Sequence, residues 1–548
     1  MIDEIKIRLI QIKAVSLYPK QNIMKNILLT GFSLGVAGAG ILQAAPPAKK
    51  TNILYIMSDD HAYQAVSSYG YGLNQTPNID RIAREGMRFN NCFVTNSLSG
   101  PSRACILTGK FSHKNGFYDN DAKTVFDGSQ QTLPKLLQAA GYQTGIVGKW
   151  HLKSTPTGFN YYSVHYDQGE YYNPDFMENG EKRVHYEGYA TDLTADMAIH
   201  FLKDCNKEKP FFLMMHFKAP HRNWMPALNK LSMYEDVTFP VPSTFYDNYE
   251  GRIAAQQQQM SVEKDMLIGE DLKVSGAWDT TLPPEFRRMT PEQRTAWDKV
   301  YNPIIEDFSR RQLKGKALAE WKFQRYMRDY LKCVSSVDDN IGRVLDYLQQ
   351  TGELDNTIII YTSDQGFYLG EHGWFDKRFM YEESLKTPFV IRYPKAIAPN
   401  RVTNAMIQNI DYAPTLLDLV GLPVPRDMQG ESFKAVLTGK KQKAKDALYY
   451  HYYEYPRPHA VKKHYGVRTD RYKLIHFYND IDEWEFYDLK TDPNELHNLI
   501  NDPAQAKNIK TLKKKLAELQ VKYGDTNPTS DAYVDEQLNF WKKYSTGK

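Results

Sequence analysis

The chain has 548 residues, which is long enough for a large buried core and for more than one domain. Hydrophobic residues make up 42% and charged residues 24%, and these proportions exclude collagen-like, disordered and membrane-embedded classes. The net charge of +4 is too small for a protein that binds nucleic acid through general charge. The four cysteines form no C-x-x-C pair, which excludes a disulfide scaffold and a thiolate zinc site. The composition therefore indicates a soluble globular protein.

The N-terminal region has the layout of a secretory signal. An apolar stretch at 27–42 follows Lys25 and ends in small residues around Ala45. This stretch is shorter than the ~20 residues that a membrane-crossing helix needs, and the segment before Met24 fits no targeting pattern. We therefore predict a mis-annotated start at 1–23, a signal peptide at 24–45, and export to the periplasm or the cell surface without an integral membrane span.

Short apolar runs typical of buried strands alternate with helical patterns along the chain. The predicted elements are, in chain order, strand 52–57, helix 78–85, a helix that begins at Thr132, strand 143–147, strand 211–217, a helix at 341–348 and strand 357–361. Alternation of this kind predicts an α/β fold, in which a mostly parallel sheet lies between helices.

Two regions depart from this pattern. Residues 223–320 are polar without clear periodicity over most of their length, and we interpret them as a long insertion over one face of an α/β domain that spans 50–440. A basic loop at 439–441 marks a boundary, and a smaller C-terminal α+β subdomain at 441–548 follows it. Its predicted elements are strands 448–453, 465–468, 472–477 and 484–489 and a helix at 506–521, which together indicate an antiparallel sheet with a helix packed on it.

Two of the predicted strands end in similar polar pairs. Asp59 and Asp60 follow the first strand, and Asp364 and Gln365 follow the strand at 357–361. The carboxyl ends of parallel strands lie along one edge of a sheet, so these side chains can converge. Converging carboxylates would repel one another unless a hard cation joined them, and Ca²⁺ tolerates irregular oxygen geometry better than Mg²⁺. Taken alone, either pair could instead cap the turn that follows it.

Ser99 opens a predicted helix that Gly109 ends. Pro101 suits the first helical turn, and the free amides and the dipole at a helix N-terminus favour an anion near Ser99. An ordinary N-cap role for Ser99 explains this stretch equally well.

Basic side chains follow three predicted strands. Lys149 and His151 come after strand 143–147, His221 comes after strand 211–217, and Lys377 follows the Asp364 strand. Each could be a surface charge on a loop. Together with the Arg103 guanidinium they would form a positive pocket beside a metal, and such a pocket suits a tetrahedral oxyanion ester.

The segment 99–103 and the following 107–109 resemble the signature of the type I sulfatases of the alkaline phosphatase superfamily, in which Cys or Ser is oxidised to formylglycine. Further motifs of the resemblance lie at 148–152, 219–221, 363–366, 411–415 and 429–432. Among subfamilies, the sequence is most similar to bacterial carbohydrate sulfatases that remove 6-O-sulfate from N-acetylglucosamine.

The resemblance implies an alkaline-phosphatase-like fold, a sulfated saccharide substrate, Ca²⁺, and formylglycine formed from Ser99. It implies the metal ligands Asp59, Asp60, Ser99, Asp364 and Gln365. It implies the catalytic residues Ser99, Arg103, Lys149, His151, His221 and Lys377. We expect the sugar contacts at Glu371, His372, Asp376, Arg378, His459 and His464.

Two positions depart from the family pattern, which usually has Cys at position 99 and Asn or His at position 365. Ser99 implies either that an anaerobic sulfatase maturase is a partner of this chain or that Ser99 is an engineered replacement of Cys. The resemblance further implies that His221 is the general acid, that Lys149 and Lys377 neutralise charge on the sulfuryl oxygens, and that His151 accepts a proton from the hydrated aldehyde.

Two other functions remain open from the sequence. One is a phosphatase or phosphonate monoester hydrolase of the same superfamily, which would use the same metal site. The other is a non-catalytic glycan-binding protein in which Ser99 is never oxidised.

Overall fold

The computed structural model describes residues 50–121, 124–275, 282–456 and 458–530. The predicted start at 1–23 and the predicted signal peptide at 24–45 lie outside these residues. Within the described ranges, no helix is both long enough and apolar enough to span a membrane.

A ten-stranded sheet forms the larger part of the fold, in the order β10-β2-β9-β8-β1-β7-β3-β4-β5-β6. Its strands are β1 Asn52–Ser58, β2 Met87–Phe93, β3 Gln143–Gly148, β4 Tyr161–His165, β5 Asp175–Glu178, β6 Lys182–His185, β7 Phe211–His216, β8 Thr357–Ser363, β9 Lys386–Arg392 and β10 Arg401–Gln408. The central strands β8, β1, β7, β3 and β4 are all parallel, whereas β9, β5 and β6 run antiparallel to their neighbours. The prediction of a mostly parallel sheet is confirmed.

Helices cover both faces of this sheet. The described helices are α1 Pro77–Arg84, α2 Ser99–Thr108, α3 Ser112–Asn115, α4 Leu133–Ala139, α5 Ala190–Asp204, α6 Ile253–Gln256, α7 Pro291–Arg311, α8 Gly315–Gln350, α9 Glu382–Leu385, α10 Tyr412–Leu419, α11 Lys434–Leu437 and α12 Ala506–Tyr523. Alternate residues of β1 belong to different cores: Leu54 and Ile56 pack in one cluster, and Ile53 and Tyr55 pack in the other. This alternation follows from the two-residue period of a strand.

The segment predicted as a long insertion at 223–320 contains α7 and the first part of α8, and most of its remaining length has neither helix nor strand. Its interpretation as an insertion stays a prediction. The helix predicted at 341–348 is likewise part of a single helix of 36 residues, α8. Charged residues on the buried face of α8 interrupt the apolar pattern by which a helix is recognised in sequence. Arg325 pairs with Asp329 at 2.6 Å, and Lys273 pairs with the same carboxylate at 2.8 Å. Buried charges of this kind are tolerated because they are paired.

The predicted C-terminal antiparallel sheet is present as β11 Ala447–Tyr452, β12 His464–Thr469, β13 Tyr472–Phe477 and β14 Glu483–Asp488, with α12 packed on it. Its other face shares a core with the large sheet: Tyr450 and Ile475 belong to the same cluster as Phe93 and Trp374. The described residues from 50 to 530 form one compact unit by their contacts. The boundary at 440/441 stays a prediction.

The backbone conformation of Gly148, the last residue of β3, predicts that a substitution by alanine lowers the free energy of unfolding strongly. Gly148 has φ +88°, and a Cβ there would overlap the backbone oxygen of His216, which accepts the amide of Lys149 at 2.7 Å. Gly141 has a similar φ of +91° but has open space around it. Gly141→Ala should therefore cost only the left-handed strain of roughly 1–2 kcal/mol, and Gly148→Ala about 1–3 kcal/mol more from overpacking.

Urea unfolding of the two variants and the unmodified protein measures this difference. Equal free energies of unfolding for Gly148→Ala and Gly141→Ala would show that β3 and β7 do not constrain position 148.

Candidate active site

The predicted acidic pairs meet because β1 and β8 are parallel neighbours in register, with Ser58 opposite Ser363. The next residues, Asp59 and Asp60, therefore lie beside Asp364. The Asp60 amide donates to Asp364 Oδ1 at 3.2 Å, and Asp60 has a left-handed φ of 64°. These contacts fix the two strand ends to each other.

Ser99 is the first residue of α2 and points at this acidic edge. The N-cap position belongs to Leu98, and no side chain caps this helix. The Ser99 hydroxyl instead donates to Asp59 Oδ1 at 2.9 Å. The alternative reading of Ser99 as an ordinary N-cap is therefore wrong, and its hydroxyl is directed into the cluster.

The oxygen-bearing side chains fit a hard divalent cation. Asp59, Asp60, Asp364 and Gln365 are fully buried, and Gln365 Oε1 has no hydrogen-bond partner among the described residues. Burial raises the pKa of Asp60 to about 7, and neighbouring carboxylates such as Asp59 raise it as well, whereas Lys377 lowers it. Burial also raises the pKa of Asp364. Ligand atoms of Asp59, Asp60 and His221 lie within 4.8 Å of one another. Carboxylate and amide oxygens are the donors that Ca²⁺ prefers.

Two cations lie against Asp59 and Asp364. Arg103 donates from Nε at 3.1 Å and from Nη2 at 2.9 Å to Asp364 Oδ2, and its Nη1 donates to the Lys149 carbonyl at 2.8 Å. The Lys149 ammonium pairs with Asp59 and is fully buried, and burial lowers its pKa to about 8. The carboxylate charge is therefore partly balanced from the β3 side.

Lys377 and His221 lie on the other side, against Asp60. Lys377 Nζ donates to Asp60 Oδ2 at 2.8 Å, and His221 Nε2 lies 3.7 Å from the same oxygen. Burial lowers the pKa of His221 well below its usual range, and Lys149 and Lys377 lower it further. Burial and the two lysines therefore favour the neutral form of the His221 imidazole in this structure.

His151 joins the same cluster through its neighbours. Its Nε2 lies 2.9 Å from Nε2 of Gln168, and the Gln168 side chain also accepts from Lys149. Burial, with Lys149 as the next cause, lowers the pKa of His151 well below its usual range. The structure thus brings all six predicted catalytic residues together.

Three of the predicted sugar contacts form a second group beside Lys377. Arg378 Nε donates to Asp376 Oδ1 at 3.1 Å, and His459 Nε2 lies 3.3 Å from Asp376 Oδ2. The C-terminal sheet holds this group: Arg378 Nη1 donates to the Tyr452 hydroxyl at 3.2 Å, and the Tyr450 hydroxyl donates to the Arg378 carbonyl at 2.7 Å. Asp376 and Arg378, which were expected to contact the sugar, therefore pair with each other in this structure.

The other three predicted sugar contacts have different surroundings. Glu371 accepts from Gln64 at 3.0 Å. His372 is fully buried, pairs with Asp247 at 2.7 Å and packs among aromatic rings. His464 is also fully buried and packs among tyrosine and phenylalanine rings. The assignment of His372 and His464 as sugar contacts is corrected to packing roles, because no surface of either ring is open to a ligand.

Two residues of the cluster were not among the predicted site residues. Lys218 follows β7, is 3% exposed, and donates from Nζ to the Gln168 carbonyl at 3.3 Å. Its place three residues before His221 at a strand end is a signal that could have indicated it. Gln168 follows β4, which the sequence pattern did not reveal as a strand, so no signal indicated it.

The fold and the site define a sulfatase. The chain belongs to the sulfatase family: the family model described as Sulfatase matches residues 51–422, more than half of the chain. A second family model, described as N-sulphoglucosamine sulphohydrolase, C-terminal, matches residues 370–522. The resemblance seen in the sequence is confirmed, and the chain is a sulfuric ester hydrolase.

The chain is 53% identical over 512 residues to the N-acetylglucosamine-6-O-sulfatase of Bacteroides thetaiotaomicron. This alignment covers 90% of this chain and 91% of that protein. A solved structure described as a complex with its substrate D-glucosamine-2-N,6-O-disulfate is 53% identical, has a TM-score of 0.86, and covers 88% of this chain and 100% of its own. A phosphonate monoester hydrolase from Silicibacter pomeroyi shares the fold, with a TM-score of 0.65 and a sequence identity of 20%. The match covers 86% of this chain and 96% of the hydrolase chain.

The buried carboxylates predict that calcium stabilises the folded protein. Adding Ca²⁺ to chelated protein at a hundred times its dissociation constant should raise the free energy of unfolding by about 2.7 kcal/mol. Gln365→Leu should reduce this gain, because it removes an amide oxygen without touching the contact between Arg103 and Asp364. Calorimetric melting temperatures and calcium content by atomic absorption measure the effect.

Asp446→Ala, which changes an exposed carboxylate, serves as the control and should keep the full gain. A calcium-induced shift of the same size in Gln365→Leu and Asp364→Ala would contradict the metal assignment.

Proposed function

We propose that this sulfatase removes 6-O-sulfate from N-acetylglucosamine at the ends of heparan-type or mucin-type glycans, after Ser99 has been oxidised to formylglycine. The observation that carries this proposal is the identity of 53% with an N-acetylglucosamine-6-O-sulfatase over nine-tenths of the chain. The convergence of Ser99 with carboxylates, lysines and histidines supports it, because such a site can hold both a cation and an anionic ester.

Formylglycine and Ca²⁺ would supply a hydrated aldehyde as nucleophile and a Lewis acid, and this chemistry allows sulfate to be expelled, which a plain serine hydroxyl does not. Asp59, Asp60, Asp364 and Gln365 would hold the cation. An anaerobic maturase would carry out the oxidation of Ser99, and the segment at 24–45 would direct export to the periplasm or the cell surface.

The chain's own side chains have separate tasks in this proposal. Lys149 and Lys377 lie on opposite sides of the carboxylates and would neutralise charge that grows on the sulfuryl oxygens, a preorganised role commonly worth ~10²- to 10³-fold in rate per group. His221 would take up a proton as the anionic ester binds and give it to the departing sugar oxygen. Arg103, fixed by Asp364, would orient the nucleophile at residue 99.

The state of Ser99 decides between a catalyst and a non-catalytic glycan-binding protein. In a host with a serine-competent maturase, the peptide that contains Ser99 should be lighter by two hydrogen atoms, and the protein should turn over sulfated sugar. In a host without that maturase, the protein should fold and bind the same sugar without turnover, because intact serine cannot expel sulfate. Peptide mass spectrometry and sulfate release measure the two properties.

Ser99→Ala is the matched variant for this experiment, and it should bind without turnover in both hosts. Full turnover by protein whose Ser99 is intact by mass would exclude the proposed chemistry, and an unmodified Ser99 in a maturase-containing host would favour the glycan-binding function.

The proposed substrate is tested by an epimer. A pocket that binds sugar hydroxyls leaves its buried polar groups unpaired when a hydroxyl is inverted, so kcat/KM should fall by ~10²-fold or more for 6-O-sulfated N-acetylgalactosamine. Asp376→Asn should narrow this gap, whereas Asp446→Asn should not. Sulfate release from both epimers, and phosphate release from a matching phosphate ester, provide the measurement.

Equal rates on the two epimers would refute the choice of sugar and leave the sulfatase assignment intact. Faster release of phosphate than of sulfate would favour the phosphatase or phosphonate monoester hydrolase alternative.

A further inference from the structure

Gln168 lies in the loop after β4, which is the parallel neighbour of β3. The loop after β3 carries Lys149 and His151, so the two loops meet at the carboxyl end of the sheet. The Gln168 side chain accepts from Lys149 Nζ at 2.6 Å through Oε1, and its Nε2 lies 2.9 Å from Nε2 of His151. Its backbone oxygen accepts from Lys218 Nζ at 3.3 Å. One residue thus contacts three basic side chains of the site.

The contact with Lys149 fixes the orientation of the Gln168 amide. A lysine ammonium only donates hydrogen bonds, so the atom that faces it must be the amide oxygen. The amide nitrogen, which only donates, then faces Nε2 of His151. This ring atom must therefore accept, and a neutral imidazole that accepts at Nε2 carries its proton on Nδ1.

No other described group offers a competing contact for Nε2 of His151. Asp167 Oδ1 is 3.8 Å away, beyond hydrogen-bond range, and its side chain is 71% exposed. On the other side of the ring, Nδ1 is buried without a hydrogen-bond partner among the described residues. Lys149, Arg103 and Lys153 all disfavour a second proton on this imidazole, and only Asp59 among its principal charged neighbours favours one.

We propose that Gln168 is a positioning residue that fixes the Lys149 ammonium and holds His151 as the tautomer protonated at Nδ1. The proposal rests on the proposed function for its effect on turnover, whereas the tautomer of His151 is a property of the folded chain.

Two variants separate the two tasks of Gln168. Gln168→Glu keeps an acceptor for Lys149 but places a second acceptor opposite Nε2, so His151 must then carry a proton on Nε2. Gln168→Met has a similar volume and removes both hydrogen bonds. Gln138→Met, on α4 outside the site, is the matched control for the loss of a glutamine amide.

The first measurement is the long-range ¹H–¹⁵N spectrum of protein labelled with ¹⁵N-histidine, which reports the tautomer, with His151→Gln used to identify the ring signals. Unoxidised protein is sufficient for it, so its outcome does not depend on sulfatase activity. We expect the Nδ1-protonated pattern in the unmodified protein and in Gln138→Met, and protonation at Nε2 in Gln168→Glu. Protonation at Nε2 in the unmodified protein would overturn the proposal.

The second measurement is turnover of 6-O-sulfated N-acetylglucosamine by oxidised protein. Both Gln168 variants should lose ~10²-fold in kcat with KM changed less than threefold, because misplacement of transition-state groups lowers kcat rather than binding. Melting temperatures and calcium content near those of Gln138→Met would show that the variants are folded. An unchanged kcat in folded Gln168→Met would refute the positioning role even if the tautomer is as expected.

Discussion

The accumulation of buried carboxylates at one end of the sheet is the constraint on which the site depends. Asp59, Asp60 and Asp364 are fully removed from water at adjoining strand ends, an arrangement that costs several kcal/mol per ion unless each charge is paired. Arg103 and Lys149 supply positive charge from one side, and Lys377 supplies it from the other. A bound cation would complete this balance, and the same charges then suit an anionic ester.

The polar segment between β7 and α8 makes contacts that hold the loop containing His221. Lys273 donates to the carbonyls of Asn223 and Trp224 at 2.9 and 3.1 Å, and it pairs with Asp329 of α8 at 2.8 Å. These carbonyls belong to the loop that directly follows His221, so the buried lysine ties that loop to the longest helix of the described fold. The segment therefore contributes to holding His221 in place as well as to covering the core.

Local sequence was sufficient for the residues that stand at strand ends. The apolar runs before Asp59 and Asp364 are complete strands, and a parallel sheet brings their carboxyl ends together whatever the intervening chain does. The same rule located Lys149, His221 and Lys377, and the glycine and proline around α2 indicated a helix start at Ser99. Each of these inferences needs only the strand period and the direction of the sheet, both of which the sequence carries locally.

Contacts between loops from distant segments were decided only by the tertiary structure. Gln168 is identified as a site residue only by its hydrogen bonds with the loop after β3, because the sequence around it contains no motif. His372 and His464 were expected to contact the sugar, yet contacts with segments that are distant in sequence enclose them: His372 pairs with Asp247, and His464 packs against Phe379. The sequence determined the strands β1, β3, β7 and β8, the chemistry at their ends and the family, because these depend on local patterns. The pairing of Asp376 with Arg378 and the tautomer of His151 depend on side-chain distances that only the folded chain sets.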